Sequence, residues 1–273
     1  MKNILKYALL LSLLVPCGAM ARKHHHHKVD RGNESIIEFD QPAKIVIIEE
    51  GDMKSKCNVD GGGLALKLAN SGNNGSWYLS TGGLGFGLDG AINQPEGTGL
   101  QMGKSFEVLW LKALAAEYRF KNQAISFGLG FDWKNFKMTG APYRMVKRSM
   151  GGLALDEYPE GTTPLNSTLK IFSLDIPVLY SIQVPSIHTK FTVGPILNFN
   201  TYSSLKTNYI NPAGNKTTEF VKGLDQKIVT MELFGAVSWN CLGLYVKGSP
   251  IKSMKGYSDI NFNPFTVGVI FFM

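Results

Sequence analysis

The sequence predicts an all-β protein, an eight-stranded antiparallel transmembrane β-barrel with a short N-terminal periplasmic extension. Three observations carry that prediction. Residues Phe265–Met273 alternate large apolar with small or polar side chains up to the last residue, the pattern of a strand that closes a barrel. The first 21 residues have the three parts of a secretory signal. Between these ends, long alternating segments follow one another from Trp77 onward, joined by connections that are short and long in turn.

The signal comes first in the chain. Lys2 and Lys6 supply a positive start, Leu5 to Val15 an apolar core, and Ala19-Met20-Ala21 a small-x-small cleavage site. The apolar run is too short for a membrane-spanning helix, and no later run replaces it. The mature chain is therefore expected to begin at Arg22. Leu14-Val15-Pro16-Cys17 has a partial lipoprotein pattern, but the proline before the cysteine favours ordinary cleavage. Removing residues 1–21 takes away two lysines and lowers the formal charge from +7 to +5. That excess is scattered, with no long basic run, and does not point to nucleic acid.

Residues 22–75 form the predicted extension. Ser35–Phe39 and Lys44–Glu50 read as short strands, followed by polar, glycine-rich sequence. The barrel domain, 76–273, carries eight segments: Trp77–Ile92, Lys104–Phe120, Ala124–Met138, Thr168–Val184, His188–Ser204, Lys227–Asn240, Cys241–Pro250 and Pro264–Met273. The third alternates most cleanly. Ile125, Phe127, Leu129, Phe131 and Trp133 share one face, and Ala124, Ser126, Gly128, Gly130, Asp132 and Lys134 the other.

The turns around Lys121-Asn122-Gln123, Pro185-Ser186 and Asn240-Cys241 are short, and the intervening connections are long and rich in Gly, Pro and Asn. An even barrel with both termini in the periplasm has this arrangement. Periodicity alone would also suit a soluble lipocalin-like barrel with its apolar face inward. The signal, the terminal strand and aromatics near segment ends (Phe106, Tyr118, Phe120, Trp133, Tyr180, Trp239, Phe271) favour the membrane version.

The opposite face mixes glycine with charge. Glu107, Asp132, Lys134, Asp175, Glu232 and Lys247 are the candidate lumen ion network, with Asp89, Glu117 and Arg119 of the same parity. At eight strands the interior is filled by side chains, so these ions are expected as core pairs. Lys112 has the parity of the outward-facing Trp110 and Leu114, and a bulge that changes parity is expected beside it. Pro177 and Pro195 fall inside strands and suggest bulges there too.

The runs LDIPVLYSI (174–182), KFTVGPILNFN (190–200), ISFGLGFDW (125–133), GLYVKGSP (243–250) and the terminal FTVGVIFFM resemble the outer-membrane β-barrel family abundant in Bacteroidetes and described as PorT-like. The resemblance covers Trp77 to Met273. It implies the barrel fold and an outer-membrane location, and assigns no activity and no functional residue. The family includes a member implicated in type IX secretion. Such chains often end on an aromatic residue, whereas this one ends on Met273, with Phe271 on its outward face.

Few residues suggest chemistry. His24, His25, His26 and His27 could ligate a transition metal, but lack a carboxylate or cysteine to fix geometry, and a solvated tail is the simpler reading. His188 sits next to a short turn, away from the predicted outer rim, so the usual general base of barrel enzymes is missing there. No catalytic residue and no cofactor are expected. Cys57 and Cys241 would both be periplasmic and could form a disulfide, or remain two unrelated thiols. Gly82-Gly83-Leu84-Gly85-Phe86-Gly87 lacks the context of a phosphate loop and is read as relief of crowding in a narrow barrel.

The long connection containing Tyr143, Arg144, Lys147 and Arg148 is the candidate outer binding surface. The expected role is a non-enzymatic structural, partner-binding or secretion-accessory barrel. A small channel or ligand-binding barrel is the alternative, and a lipid-acting enzyme a more distant one. The expected partners are outer-membrane lipid and, through the C-terminal strand, the barrel assembly machinery.

Overall fold

The computed structural model describes residues 35–38, 44–47, 65–70, 75–139, 142–149, 152–256 and 258–272. The signal segment, His24–His27, Cys57 and Met273 lie outside the described residues. In chain order the strands are β1 (Ser35–Glu38), β2 (Lys44–Ile47), β3 (Ala65–Asn70), β4 (Ser76–Ile92), β5 (Phe106–Phe120) and β6 (Gln123–Thr139). There follow β7 (Tyr143–Lys147), β8 (Leu153–Glu157), β9 (Thr163–Val184), β10 (Thr189–Ile210), β11 (Lys216–Lys222), β12 (Val229–Trp239), β13 (Leu242–Gly248) and β14 (Asn263–Phe271).

Eight of these close into a ring. The order β4-β5-β6-β9-β10-β12-β13-β14 returns to β4, every neighbour antiparallel. Alternation of side chains then sends one face of each strand into the lumen and the other outward. The outside is apolar: Phe127 is 58% exposed and Leu233 59%, and Leu129, Phe131, Val193, Leu244, Val246 and Val267 are also exposed. The clean outward run on β6, Ile125 to Trp133, spans nine residues, within the roughly 9–11 that cross hydrocarbon in a tilted strand. Aromatic neighbours border it, with Trp133 against Phe172 at 5.7 Å and Trp77 against Tyr118 at 5.1 Å. The fold is a closed β-barrel of the transmembrane kind.

At one end the connections are short. Lys121-Asn122 joins β5 to β6, Asn240-Cys241 joins β12 to β13, and a single 3-10 turn, Pro185–Ile187, with His188 joins β9 to β10. Lys121, His188 and Asn240 take left-handed backbone angles (φ 51°, 49° and 51°) that let these turns reverse tightly. At the other end the chain is elaborated. The long connection after β6 folds into the β7–β8 hairpin. β10 runs on past its last pair with β12, Phe199↔Val229, and hairpins with β11 from Ser204↔Lys222 to Ile210↔Lys216. Back at the short-turn end, β3 pairs with the first residues of β4, Ser76 to Ser80, and β1 and β2 extend from it.

Lys112 sits at a bulge in β5. Between Trp110↔Phe131 and Leu114↔Leu129, four steps along β5 match two along β6, and a register shift lies there against β4 as well. The parity change turns Lys112 inward, 4% exposed, while Trp110 and Leu114 stay outside. The proline expectation is corrected. Pro177↔Ile196 and Pro195↔Leu233 keep register with their neighbours, and the shifts on β9–β10 fall instead at Asn200/Tyr202 and Asn208/Tyr209. A missing N–H is absorbed here by omitted ladder pairs, without an inserted residue.

Glycine lets the strands coil closely. A Cβ on Gly194 would lie 2.1 Å from the Val178 carbonyl oxygen. Gly83, inside β4 and not in a phosphate loop, has φ +76° and sits with Leu111 at 3.1 Å from where its Cβ would be.

Candidate functional site

The lumen is filled in layers, and the order of residues along each strand sets them. Toward the elaborated end lies an apolar layer that includes Phe136, Met138, Leu169, Leu205, Met254 and Phe262, into which the hairpin inserts Met145 and Leu153. Toward the short-turn end lies a second, made of Leu109, Leu111, Leu179, Ile196, Phe234 and Ile270 with their neighbours. Between them is a layer of buried ions.

Every ring strand contributes to this ionic layer. β4 supplies Asp89, β5 Glu107, β6 Asp132 and Lys134, β9 Asp175, β10 Asn198, β12 Glu232, β13 Tyr245 and Lys247, and β14 Thr266, all buried. Lys247 Nζ lies 2.7 Å from Glu107 Oε2 and 3.0 Å from Glu232 Oε2, and also bonds Asp132. Lys134 Nζ lies 2.5 Å from Glu232 Oε1 and 3.0 Å from Asp132 Oδ2. Tyr245 donates to Glu107 (2.9 Å), Thr266 to Asp89 (2.7 Å), and the Asn198 amide to Glu232 (2.9 Å).

The six residues singled out in the sequence are thus brought to one layer. Five of them pair directly, and Asp175 stands apart: neither of its oxygens has a hydrogen-bond partner among the described residues. Sequence reasoning named Asp89 only by parity and missed Asn198, Tyr245 and Thr266. Lys247 and Tyr245 are two apart on one strand, so parity could have found the tyrosine. A smaller group lies nearer the short turns, where Glu117 accepts from Lys112 (3.0 Å), Arg119 (2.6 Å) and Ser80 (3.4 Å).

The candidate outer surface is pinned within the chain. Arg144 donates both its bonds from Nη1 to Glu219 of β11 (2.7 and 2.8 Å), with Asp156 of β8 at 3.6 Å from Nη2. Lys147 donates to the Lys222 carbonyl (3.2 Å), Arg148 pairs with Asp259, and Tyr143 is exposed. These cations fasten the hairpin over the lumen. Tyr209, on the part of β10 beyond the ring, donates to Glu219 (2.9 Å), and that bond raises its hydroxyl pKa above the ordinary value.

Cys241, at the β12–β13 turn, is disulfide-bonded. His188 lies at the β9–β10 turn and shares no site with the ionic layer. Among the described residues no three His, Cys, Asp or Glu side chains form a metal-sized group.

Fold and interior together define a closed, side-chain-filled barrel with an apolar exterior. No family model matches the chain, and no curated protein matches it. Among solved structures, the crystal structure of Neisserial surface protein A is similar over 74% of this chain and 100% of its own, at 11% identity and a TM-score of 0.31. The fold is defined by strand order and register independently of that likeness.

Proposed function

We propose that this chain is a non-enzymatic outer-membrane β-barrel that acts through its surfaces, as a structural, partner-binding or secretion-accessory component. The observation that carries the reading is the lumen, closed along its length by two apolar layers and an ionic layer between them. A pore or a ligand cavity needs open volume, and an ionic layer buried on both sides offers no conduction path.

The apolar exterior supports lipid as its solvent, since a soluble protein rarely exposes so large an apolar surface. The short turns, the extension and the C-terminus are assigned to the periplasm and the elaborated end to the outside, following the general loop asymmetry of such barrels. The PorT-like resemblance of the strand motifs supports the same placement, with β14 as the element read by the barrel assembly machinery. Barrel enzymes use a general base, and His188, the one histidine among the described residues, lies at the short-turn end.

Two measurements test the reading. Full-length protein should fractionate with the outer membrane and migrate differently before and after boiling. Purified folded protein in a planar bilayer should give no stepwise conductance. Discrete conductance steps would replace this reading with the channel, and recovery as a soluble periplasmic protein would remove the membrane altogether.

A further inference from the structure

The ionic layer is out of balance. Five carboxylates (Asp89, Glu107, Asp132, Asp175, Glu232) face two ammonium groups (Lys134, Lys247). Buried charge is tolerated only when compensated, and the pairing is uneven. Both lysines crowd toward Glu107, Glu232 and one oxygen of Asp132, Oδ2. Five acceptor oxygens of the layer are left over: Asp89 Oδ2 lies apart on β4, and the other four share one arc of the wall, on β6, β9 and β10. These four are Asp175 Oδ1 and Oδ2, Asp132 Oδ1 and Asn198 Oδ1, none with a hydrogen-bond partner among the described residues.

Register brings these atoms together. Asn198 and Asp175 are directly opposite one another on β10 and β9. Asp175 is opposite Gly130 on β6, two residues from Asp132, so Asp132 is its diagonal neighbour on the same inward face. Gly130 puts no side chain between them. All three are essentially inaccessible, at 1% for Asp175 and 0% for Asp132 and Asn198. Asn198 is already oriented, because its amide nitrogen donates to Glu232 and leaves its oxygen turned away from that carboxylate. Exchanging the amide's N and O would set an oxygen against Glu232, so the assignment is firm.

We propose that Asp132, Asp175 and Asn198 bind one hard divalent cation, of which Ca²⁺ is the type, inside the barrel wall. Two carboxylates and an amide oxygen are the donor types such an ion selects. The ion supplies the positive charge this side of the lumen lacks. Mg²⁺ is disfavoured, because it sheds water reluctantly and demands near-ideal octahedral geometry. With an apolar layer on either side, the ion is taken up as the ring closes and is then retained, so binding is coupled to folding. The inference rests on lumen geometry alone and holds whatever surface role the barrel has.

The test uses the full chain, refolded from denaturant into detergent micelles with Ca²⁺ or with EDTA, then freed of unbound ion. Metal content is read by mass spectrometry, and folding by the heat-dependent gel shift. Wild type folded in Ca²⁺ should retain about one ion per chain and unfold at a higher temperature than the EDTA-folded sample. Asp175→Asn, of equal size, should fold and lose the ion, while Glu117→Gln, in the separate lower group, should keep it. Wild type that retains no calcium, or Asp175→Asn that retains as much as wild type, overturns the site. If Asp175→Asn fails to fold, the wild-type pair decides: equal unfolding temperatures with and without Ca²⁺ also overturn it.

Discussion

Lys247 of β13 and Asp132 of β6 bond across the full width of the lumen, from strands diametrically opposite in the ring. Neither side chain is exposed at all. The pair is therefore a strut: it fixes the distance between two walls that share no backbone hydrogen bond.

Removing one end of that strut should be costly. Lys247→Met keeps the volume and deletes the charge, leaving Asp132, Glu107 and Glu232 with Lys134 alone. Loss of one partner from a buried ion group typically destabilises by about 3–5 kcal/mol. Urea unfolding of the refolded variant in detergent should show that loss, and an unchanged midpoint would mean the ionic layer contributes no net stability.

Two glycines in the ring separate close approach from mere smallness. Gly194→Ala would drive a methyl to 2.1 Å from the Val178 carbonyl, whereas the nearest atom to a Cβ on Gly235 is 3.9 Å away, on Val246. Overpacking against backbone should cost about 1–3 kcal/mol or more. Gly235→Ala should refold like wild type. Equal refolding yields for the two variants, read from the heat-shifted band, would show that β9 and β10 can separate to admit the methyl.

The β7–β8 hairpin should be held by Arg144. Its partner Glu219 is half exposed, so solvent screening limits the gain and the substitution Arg144→Ala should cost only about 1 kcal/mol. Limited proteolysis of folded protein is the sensitive readout, with faster cleavage between β7 and β8 expected and the ring intact. If cleavage is unchanged, the buried Met145 and Leu153 hold the hairpin unaided.

Cys241 should be found joined to Cys57. After removal of residues 1–21 these are the two cysteines that remain in the sequence, and Cys241 is bonded. Non-reducing peptide mapping of mature protein should recover the crosslinked pair, and Cys241→Ser should leave Cys57 free to alkylate. A wild-type Cys57 that alkylates without reduction would exclude the bridge.

Period-two alternation made the ring strands legible, because each has a lipid-type face and a lumen face for most of its length. It also located the β5 bulge, since a lysine on the outward parity between Trp110 and Leu114 is costly enough to force a local change. The same logic misled at Pro177 and Pro195, where a lost donor was accommodated with no shift of register. β11 and the β7–β8 hairpin went unread. Lys216–Lys222 has mixed polarity with no buried face of its own, and the hairpin gains its apolar contacts only from the lumen it covers. Of the ionic layer, the uncharged members Asn198, Tyr245 and Thr266 were missed, while the charged ones followed from parity. Which ions pair did not, because partners such as Lys247 and Asp132 are set by ring closure between strands remote in sequence.

Ring closure has a further consequence at the seam. β14 meets β4 from Asn263↔Ile92 to Phe271↔Leu84, whereas β3 takes the same edge of β4 at Ser76 to Ser80. β14 is thus the strand that joins the two flanks, and without it both β4 and β13 present unpaired backbone. A chain cut short before Asn263 would be left with two sticky margins and no means of sealing them, a species bound to polymerise edge to edge. β3 covers the stretch of β4 that β14 does not reach, so the finished molecule carries its own gasket at the join.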